Sequence, residues 1–237
     1  MQTSDQEQKL EGNPKVLVGC PTSVHKRYCL GRYASRLKEL TYPNYDILIV
    51  DNSENNDYIG LIKESGLPAV KDVYSDSARE RIINSRNILR KEVLEKYDYF
   101  LSLEQDVIPP KDIIERMLKS GKKLVTGVYY NFQMINGKNQ LRPLLWKRVR
   151  EDRVKALSFE EIEGGSLMEV GACGLGCLLI HKEILKNIKF RYDKNDNGFD
   201  DMWFCQDTFN EGNKIFADTS LKCKHLIKGG GWEGIKK

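Results

Sequence analysis

Five short apolar runs, separated by four stretches with helical period, fill residues 15–130 and leave this chain few architectures. The runs are KVLVGC (15–20), DILIVD (46–51), the centre of LPAVKDVYS (67–75), YDYFLSL (97–103) and KKLVTGVYY (122–130). Runs this short and nearly uncharged suit strands buried on both faces of a parallel sheet. Between them, Cys29, Tyr33, Leu37 and Leu40 recur at spacings of four, four and three, the face of a helix. Tyr58–Ser65 is a short helix closed by Gly66, Ala78, Ile82, Leu89 and Val93 mark a long one over 78–96, and a further one covers 111–120. Strand–helix alternation of this kind predicts an α/β fold with a mainly parallel central sheet and helices on both faces. Residues 131–170 are irregular and rich in Arg, Lys and Glu. The pattern resumes with VGACGLGCLLI (170–180), helices over 182–188 and 200–211, and the strand KIFAD (214–218). The reading is a single domain over 14–227, with flexible tails at 1–13 and, basic in character, at 228–237.

Composition narrows the function classes. Lys plus Arg is 38 and Asp plus Glu is 34, a net charge of +4. That balance, without a basic aromatic stripe, argues against nucleic acid as a partner. The longest apolar-plus-glycine stretch, Val170 to Ile180, is too short to span a bilayer. The polar start MQTSDQEQKLEGN lacks the apolar core of an export signal. A cytoplasmic protein with no transmembrane span is expected, and peripheral membrane association remains compatible with it. Six cysteines without an export signal read as reduced, mostly buried thiols. Cys173 and Cys177 have no second pair at zinc-ligand spacing.

Ligands of open α/β sheets bind beyond the carboxyl ends of the strands. Those ends carry Pro21-Thr22, Asp51-Asn52 and Glu104-Gln105-Asp106, three polar clusters on one rim. A nucleotide cleft is the natural expectation. No GxGxxG follows the first strand and no GxxxxGK[ST] occurs, which weighs against a Rossmann dehydrogenase and a P-loop NTPase. Glu104 and Asp106 alternate at a strand end and can face the same way, which suits Mg2+ or Mn2+ with diphosphate oxygens as further ligands. A solvated acidic turn before Pro109-Pro110 is the plainer reading of those residues alone. His225 is flanked by Lys222, Lys224 and Lys228, which could neutralise phosphate. Asp200-Asp201 opens a helix, so one can cap it and the other can serve as a general base. The small residues around Gly174 allow close backbone approach to a ligand, or tight packing.

Taken in order, these segments resemble a family 2-type glycosyltransferase of the GT-A fold, a Rossmann-related sandwich, from about Lys15 to Leu226. KVLVGCPTS resembles the opening strand with its nucleotide loop at Pro21 and Thr22. DILIVDNSE resembles the second strand, whose Asp51 would meet the base. INSRN resembles the segment that brings Arg86 and Asn87 near the nucleotide. YDYFLSLEQD resembles the strand leading to the DxD motif, with Glu104 in place of the first Asp. EVGACGLGCLLIHKEIL resembles the acceptor-side strand and helix, FDDMWFC the Glu-Asp helix start with Asp200-Asp201, and IFADTSLKCKHL the closing strand with a metal-binding His.

The resemblance implies a nucleotide-binding half over 14–130 and an acceptor and catalytic half over 131–227. It implies transfer of a sugar from a UDP- or GDP-linked donor to a carbohydrate or other hydroxyl acceptor, with inversion. Asp106 and His225 would hold a divalent cation, Mn2+ or Mg2+. Glu104 and Gln105 would lie beside the nucleotide, and Asp201 would be the base. Gly174, Asp200 and Trp146 would line the acceptor side. A sugar-phosphate nucleotidyltransferase is an alternative, although PTSVHKR has no glycine. A non-catalytic nucleotide-sugar-binding protein of the same fold is another.

Overall fold

The structure is a computed structural model that describes residues 12–135, 137–196 and 198–228. Of the two expected tails, only Gly12, Asn13 and Lys228 are described residues, and the rest lies outside them. In chain order β1 (Val16–Thr22) leads through a 3-10 turn (Val24–Cys29) to α1 (Leu30–Lys38). Then come β2 (Tyr45–Asp51), α2 (Asp57–Glu64), β3 (Ala69–Lys71), α3 (Ala78–Lys96), β4 (Tyr99–Leu103), β5 (Val107–Ile108), α4 (Ile113–Lys119) and β6 (Leu124–Val128). The expected strand–helix alternation up to residue 130 is therefore present. The segment read as irregular holds short strands instead: β7 (Tyr130–Ile135), β8 (Lys138–Pro143), β9 (Leu145–Arg150), β10 (Arg153–Ala156) and β11 (Leu167–Val170). The glycine-rich run splits into β12 (Ala172–Cys173) and β13 (Cys177–His181), followed by α5 (Lys182–Asn187), α6 (Asp200–Asn210), β14 (Ile215–Lys222) and β15 (Lys224–His225).

Eight strands form one sheet in the order β11-β14-β6-β13-β4-β1-β2-β3. β3, β2, β1 and β4 are parallel, and β6 and β14 are parallel to each other. β13 runs antiparallel to both β4 and β6, so the two parallel groups point the same way. A strand from the second half of the chain thus sits inside the sheet of the first half. β7-β8 and β10-β9-β12 form smaller sheets, and β15 pairs with β5.

Period-two alternation divides the core. Val16, Val18, Cys20, Leu101 and Leu103 face a cluster with α1, α2 and α4. Leu17, Phe100, Leu178 and Ile180 face the other, with α3, α5 and α6. Both faces are covered, which is why these strands read as continuous apolar runs. The long α3 is capped by Ser77, whose hydroxyl oxygen accepts from the Glu80 amide at 3.3 Å, while the Glu80 carboxylate accepts from the Ser75 hydroxyl at 2.6 Å. Its buried stripe starts polar, with Ser85 and Arg86, and becomes apolar only at Leu89 and Val93. The polar half lies towards the carboxyl ends of the strands.

Gly19 is required where β1 meets β2. A Cβ there would stand 2.3 Å from the Leu48 carbonyl oxygen and 3.0 Å from Leu89. Gly19→Ala is expected to cost about 1–3 kcal/mol by overpacking, seen as a melting temperature lower by several degrees. An unchanged melting temperature would mean that β1 and β2 tolerate separation at this point.

Candidate active site

A cleft of about 280 Å³ opens over the carboxyl ends of β1, β2 and β4. Pro21 and Thr22 enter it from β1, Asn52 from the end of β2, and Glu104 and Gln105 from the end of β4. Ile82 and Arg86 of α3 form one wall, and Phe199, Asp200 and Asp201 at the start of α6 form another. Lys26 reaches in from the 3-10 turn after β1.

Arg86 organises the wall. It is 2% exposed and meets three partners. One terminal nitrogen donates to the Ser102 hydroxyl at 2.8 Å, the other to a Glu104 oxygen at 2.8 Å, and Nε pairs with the Asp200 carboxylate. Glu104 is thereby drawn towards α3. Asp200 is spent on Arg86 and caps nothing. It is Asp201 whose oxygen accepts from a helix amide, that of Met202, at 2.7 Å. Burial pushes the Asp201 carboxyl up to about 6, the negative charge of Asp200 adds to the rise, and the Met202 N–H opposes it. A carboxyl with this value, facing a cleft, can take a proton near neutral pH.

Asp106 and His225 come together, although 119 residues separate them. The backbone pairing of β15 with β5 places His225 opposite Val107, and its Nε2 lies 3.3 Å from Asp106 Oδ2. Nδ1 faces the Tyr130 carbonyl at 2.7 Å, so Nδ1 carries the proton there and Nε2 is turned to the carboxylate. The same Asp106 oxygen receives the Lys26 ammonium, with the Tyr28 hydroxyl at 3.3 Å. Burial alone would raise the Asp106 carboxyl, but the His225 hydrogen bond and the Lys26 charge outweigh it and hold it down at about 2. Burial likewise works against a charged His225, and Asp106 overrides it to raise the imidazole above its usual value.

These residues fit a divalent cation. Asp106 Oδ1 is buried and has no hydrogen-bond partner, an oxygen donor left open. Among the described residues no three His, Cys, Asp or Glu side chains gather into a cage. Asp106 and His225 would supply two ligands, and diphosphate oxygens would supply others.

Other residues expected to meet the ligand are engaged by the protein itself. Asp51 is fully buried. Its carboxylate accepts from the Ser53 amide at 3.0 Å, the Ser53 hydroxyl at 2.6 Å and Lys71 at 3.0 Å, and Asn52 rather than Asp51 lines the cleft. Asn87 faces away from it, exchanging hydrogen bonds with the backbone of Phe190 at 2.9 and 3.2 Å. Gln105 is a brace. It donates to the Lys26 carbonyl at 2.9 Å and to Tyr58, and accepts from Thr22. Trp146 packs against the core cluster of α3, α5 and α6.

Gly174 exists for Tyr129. A Cβ there would fall 2.1 Å from the Tyr129 hydroxyl, which accepts from the Gly176 amide at 2.8 Å. The Tyr129 ring in turn stands edge-on to His225, centroids 5.5 Å apart. The residue that sequence reasoning missed is Lys26. Its one signal was a basic side chain in the loop directly after the first strand, on the ligand-binding rim.

No protein-family model and no curated protein matches the sequence. Solved structures do match. Mannosyltransferase PcManGT from Pyrobaculum calidifontis, in complex with GDP-Man and Mn2+, superposes with a TM-score of 0.62 at 11% identity, over 94% of this chain and 59% of that one. S. aureus TarS in complex with UDP-GlcNAc gives 0.57 at 13% identity, over 94% and 62%. A further TarS structure gives 0.56 at 13%, over 90% and 37%. This chain thus spans less than two thirds of each. Among the described residues no helix is long and apolar enough to cross a membrane. What the likeness carries is the architecture: a mostly parallel central sheet flanked by helices. The chain has the GT-A-like α/β fold of these glycosyltransferase structures.

Proposed function

We propose that this protein transfers a sugar from a nucleotide-diphosphate donor, UDP- or GDP-linked, to an acceptor hydroxyl with inversion at the anomeric carbon. The observation that carries the reading is Asp201, a carboxyl raised to about 6 on the wall of a cleft. The same cleft is lined by Thr22, Lys26 and Asn52. A base and a cation that suits a phosphate-bearing ligand therefore share one cleft.

In this reading Asp201 takes the proton from the acceptor hydroxyl as its oxygen attacks the anomeric carbon. The bond from that carbon to the diphosphate breaks, and the nucleoside diphosphate leaves with the electron pair. Lys26 stands where negative charge grows on the leaving group. Asp106 and His225 would hold a divalent cation, which when bound would stabilise the same charge. Arg86 keeps Asp200 and Glu104 in place around the base. Asn52, just after β2, would meet a nucleobase edge through its amide oxygen, since its nitrogen donates to the Ser85 hydroxyl at 3.1 Å.

The direct test is a thermal-shift panel of UDP, GDP and CDP, each with Mn2+ and with EDTA. A ligand at a hundred times its dissociation constant adds about 2.7 kcal/mol of stability, several degrees for a domain of this size. Stabilisation by one nucleotide, larger with Mn2+, is expected. No shift with any of the three would overturn the reading.

A further inference from the structure

Lys26 bridges two places that the donor chemistry keeps apart. Among the described residues it is the only one whose basic side chain both lines the cleft and touches the Asp106 carboxylate. Its backbone is anchored, since its carbonyl accepts from Gln105 at 2.9 Å and from the Cys29 thiol at 3.0 Å. Its side chain is 36% exposed, while that of Asp106 is 5% exposed. A long stem on a fixed backbone can turn its ammonium between Asp106 and the open cleft.

The charges give that turn a direction. Asp106 bears one negative charge and already has the Lys26 ammonium and His225 on a single oxygen. A divalent ion that reaches the buried, unpartnered Oδ1 would meet the ammonium at close range, and like charges repel strongly where water is scarce. A diphosphate entering the cleft changes this, because it offers the ammonium a partner of higher charge.

The geometry points to Lys26 as a resident counter-cation that closes Asp106 to a divalent ion until a nucleotide diphosphate arrives, and then moves to the diphosphate. The inference rests on the reading of the cleft as a nucleotide-sugar site. It makes metal and nucleotide binding mutually reinforcing, and that coupling must be reciprocal.

The test measures Mn2+ binding by the loss of the free-ion EPR signal, and UDP and GDP binding by calorimetry in EDTA. Wild-type protein is expected to bind Mn2+ weakly alone and more tightly with the nucleotide it accepts. Lys26→Met is expected to bind Mn2+ alone roughly tenfold more tightly or better, and to bind the nucleotide in EDTA more weakly by a similar factor, the scale of one charged hydrogen bond. Lys26→Arg should stay near wild type in both. Should Lys26→Met fail to fold, Lys26→Gln carries the same expectation. Lys26→Met with unchanged or weaker Mn2+ affinity, or with unchanged nucleotide affinity, overturns the inference. Wild-type protein that binds neither UDP nor GDP removes the proposed function and this inference with it. That outcome is told apart by the nucleotide arm on wild type, which does not involve Lys26 variants.

Discussion

Asp201→Asn is expected to lose transfer activity by about a hundredfold or more and, at pH 8, to melt at a higher temperature than the wild type. Both effects have one cause. Asp201 lies half-buried at the start of α6, and burial together with the charge of Asp200 pushes its carboxyl up to about 6. An ordinary aspartate in an unfolded chain titrates near about 3.9. The folded protein therefore holds this proton more tightly than the unfolded chain does. The ionised side chain opposes folding, with a penalty that grows between about pH 4 and pH 6 and is fully present above pH 6. From that rise the penalty is roughly 2–3 kcal/mol. Asparagine removes the charge and nearly keeps the shape, so the gain in stability should shrink as the pH falls towards 4. Activity runs the other way. In the proposed reaction Asp201 serves as base only when ionised, so wild-type kcat/KM should rise with pH through about 6 and then level. A variant that keeps its activity would place the base elsewhere, with Asp207 the next carboxylate to examine, although Arg191 holds it in a two-point pair at 2.7 Å. A variant that is dead but less stable at pH 8 would make Asp201 a structural residue.

The sheet was largely legible because each parallel strand is buried on both faces and leaves an unbroken apolar run, as in residues 16–20 and 99–103. Strand order was not. The run 177–180 is equally apolar whichever strands it joins, and nothing local says that β13 runs reversed between β4 and β6. Residues 131–170 read as irregular because their strands are short and bury only a few residues, such as Leu145 and Val170. Val149 is 47% exposed and Met134 71%, so no clean alternation survives. For the candidate site, motif order singled out Glu104, Asp106, Asp201 and His225 as chemistry-bearing types. What they touch could not. Asp51 sits in register with Lys71 of the neighbouring strand, and that pairing, together with Ser53, consumes the carboxylate expected to meet a base. Asn87 was one helical position from Arg86, and which of the two faces the cleft depends on how α3 is rolled against β4 and α6. Lys26 was one of 38 basic residues and stood in no recognised motif.

Arg86→Met is expected to be the most destabilising single change in the site, by about 3–5 kcal/mol, because it leaves a buried carboxylate without its partner. Asp200 is 5% exposed and is paired with Arg86, and the same guanidinium holds Glu104 and Ser102. The three contacts diverge from one planar fork, so Arg86→Lys, with a single point of charge, cannot restore them and should remain well below wild type. The loss should appear as a melting temperature lower by about ten degrees. The origin of the loss can be isolated. If it lies in the stranded charge, then Asp200→Asn added to Arg86→Met should recover much of it, and the two changes will be strongly non-additive. Arg86→Met alone should also release Glu104 towards Asp106, two residues along the chain. The clamp is what keeps that carboxylate on α3 and leaves Asp106 with His225. Release should therefore strengthen Mn2+ binding in the absence of nucleotide, measured on whatever fraction of the variant remains folded at low temperature. A loss of less than about 1 kcal/mol, the scale of an exposed ion pair, would show that water already screens the cluster. Additive losses in the double variant would show that Arg86 acts through its packing against Phe190 rather than through Asp200.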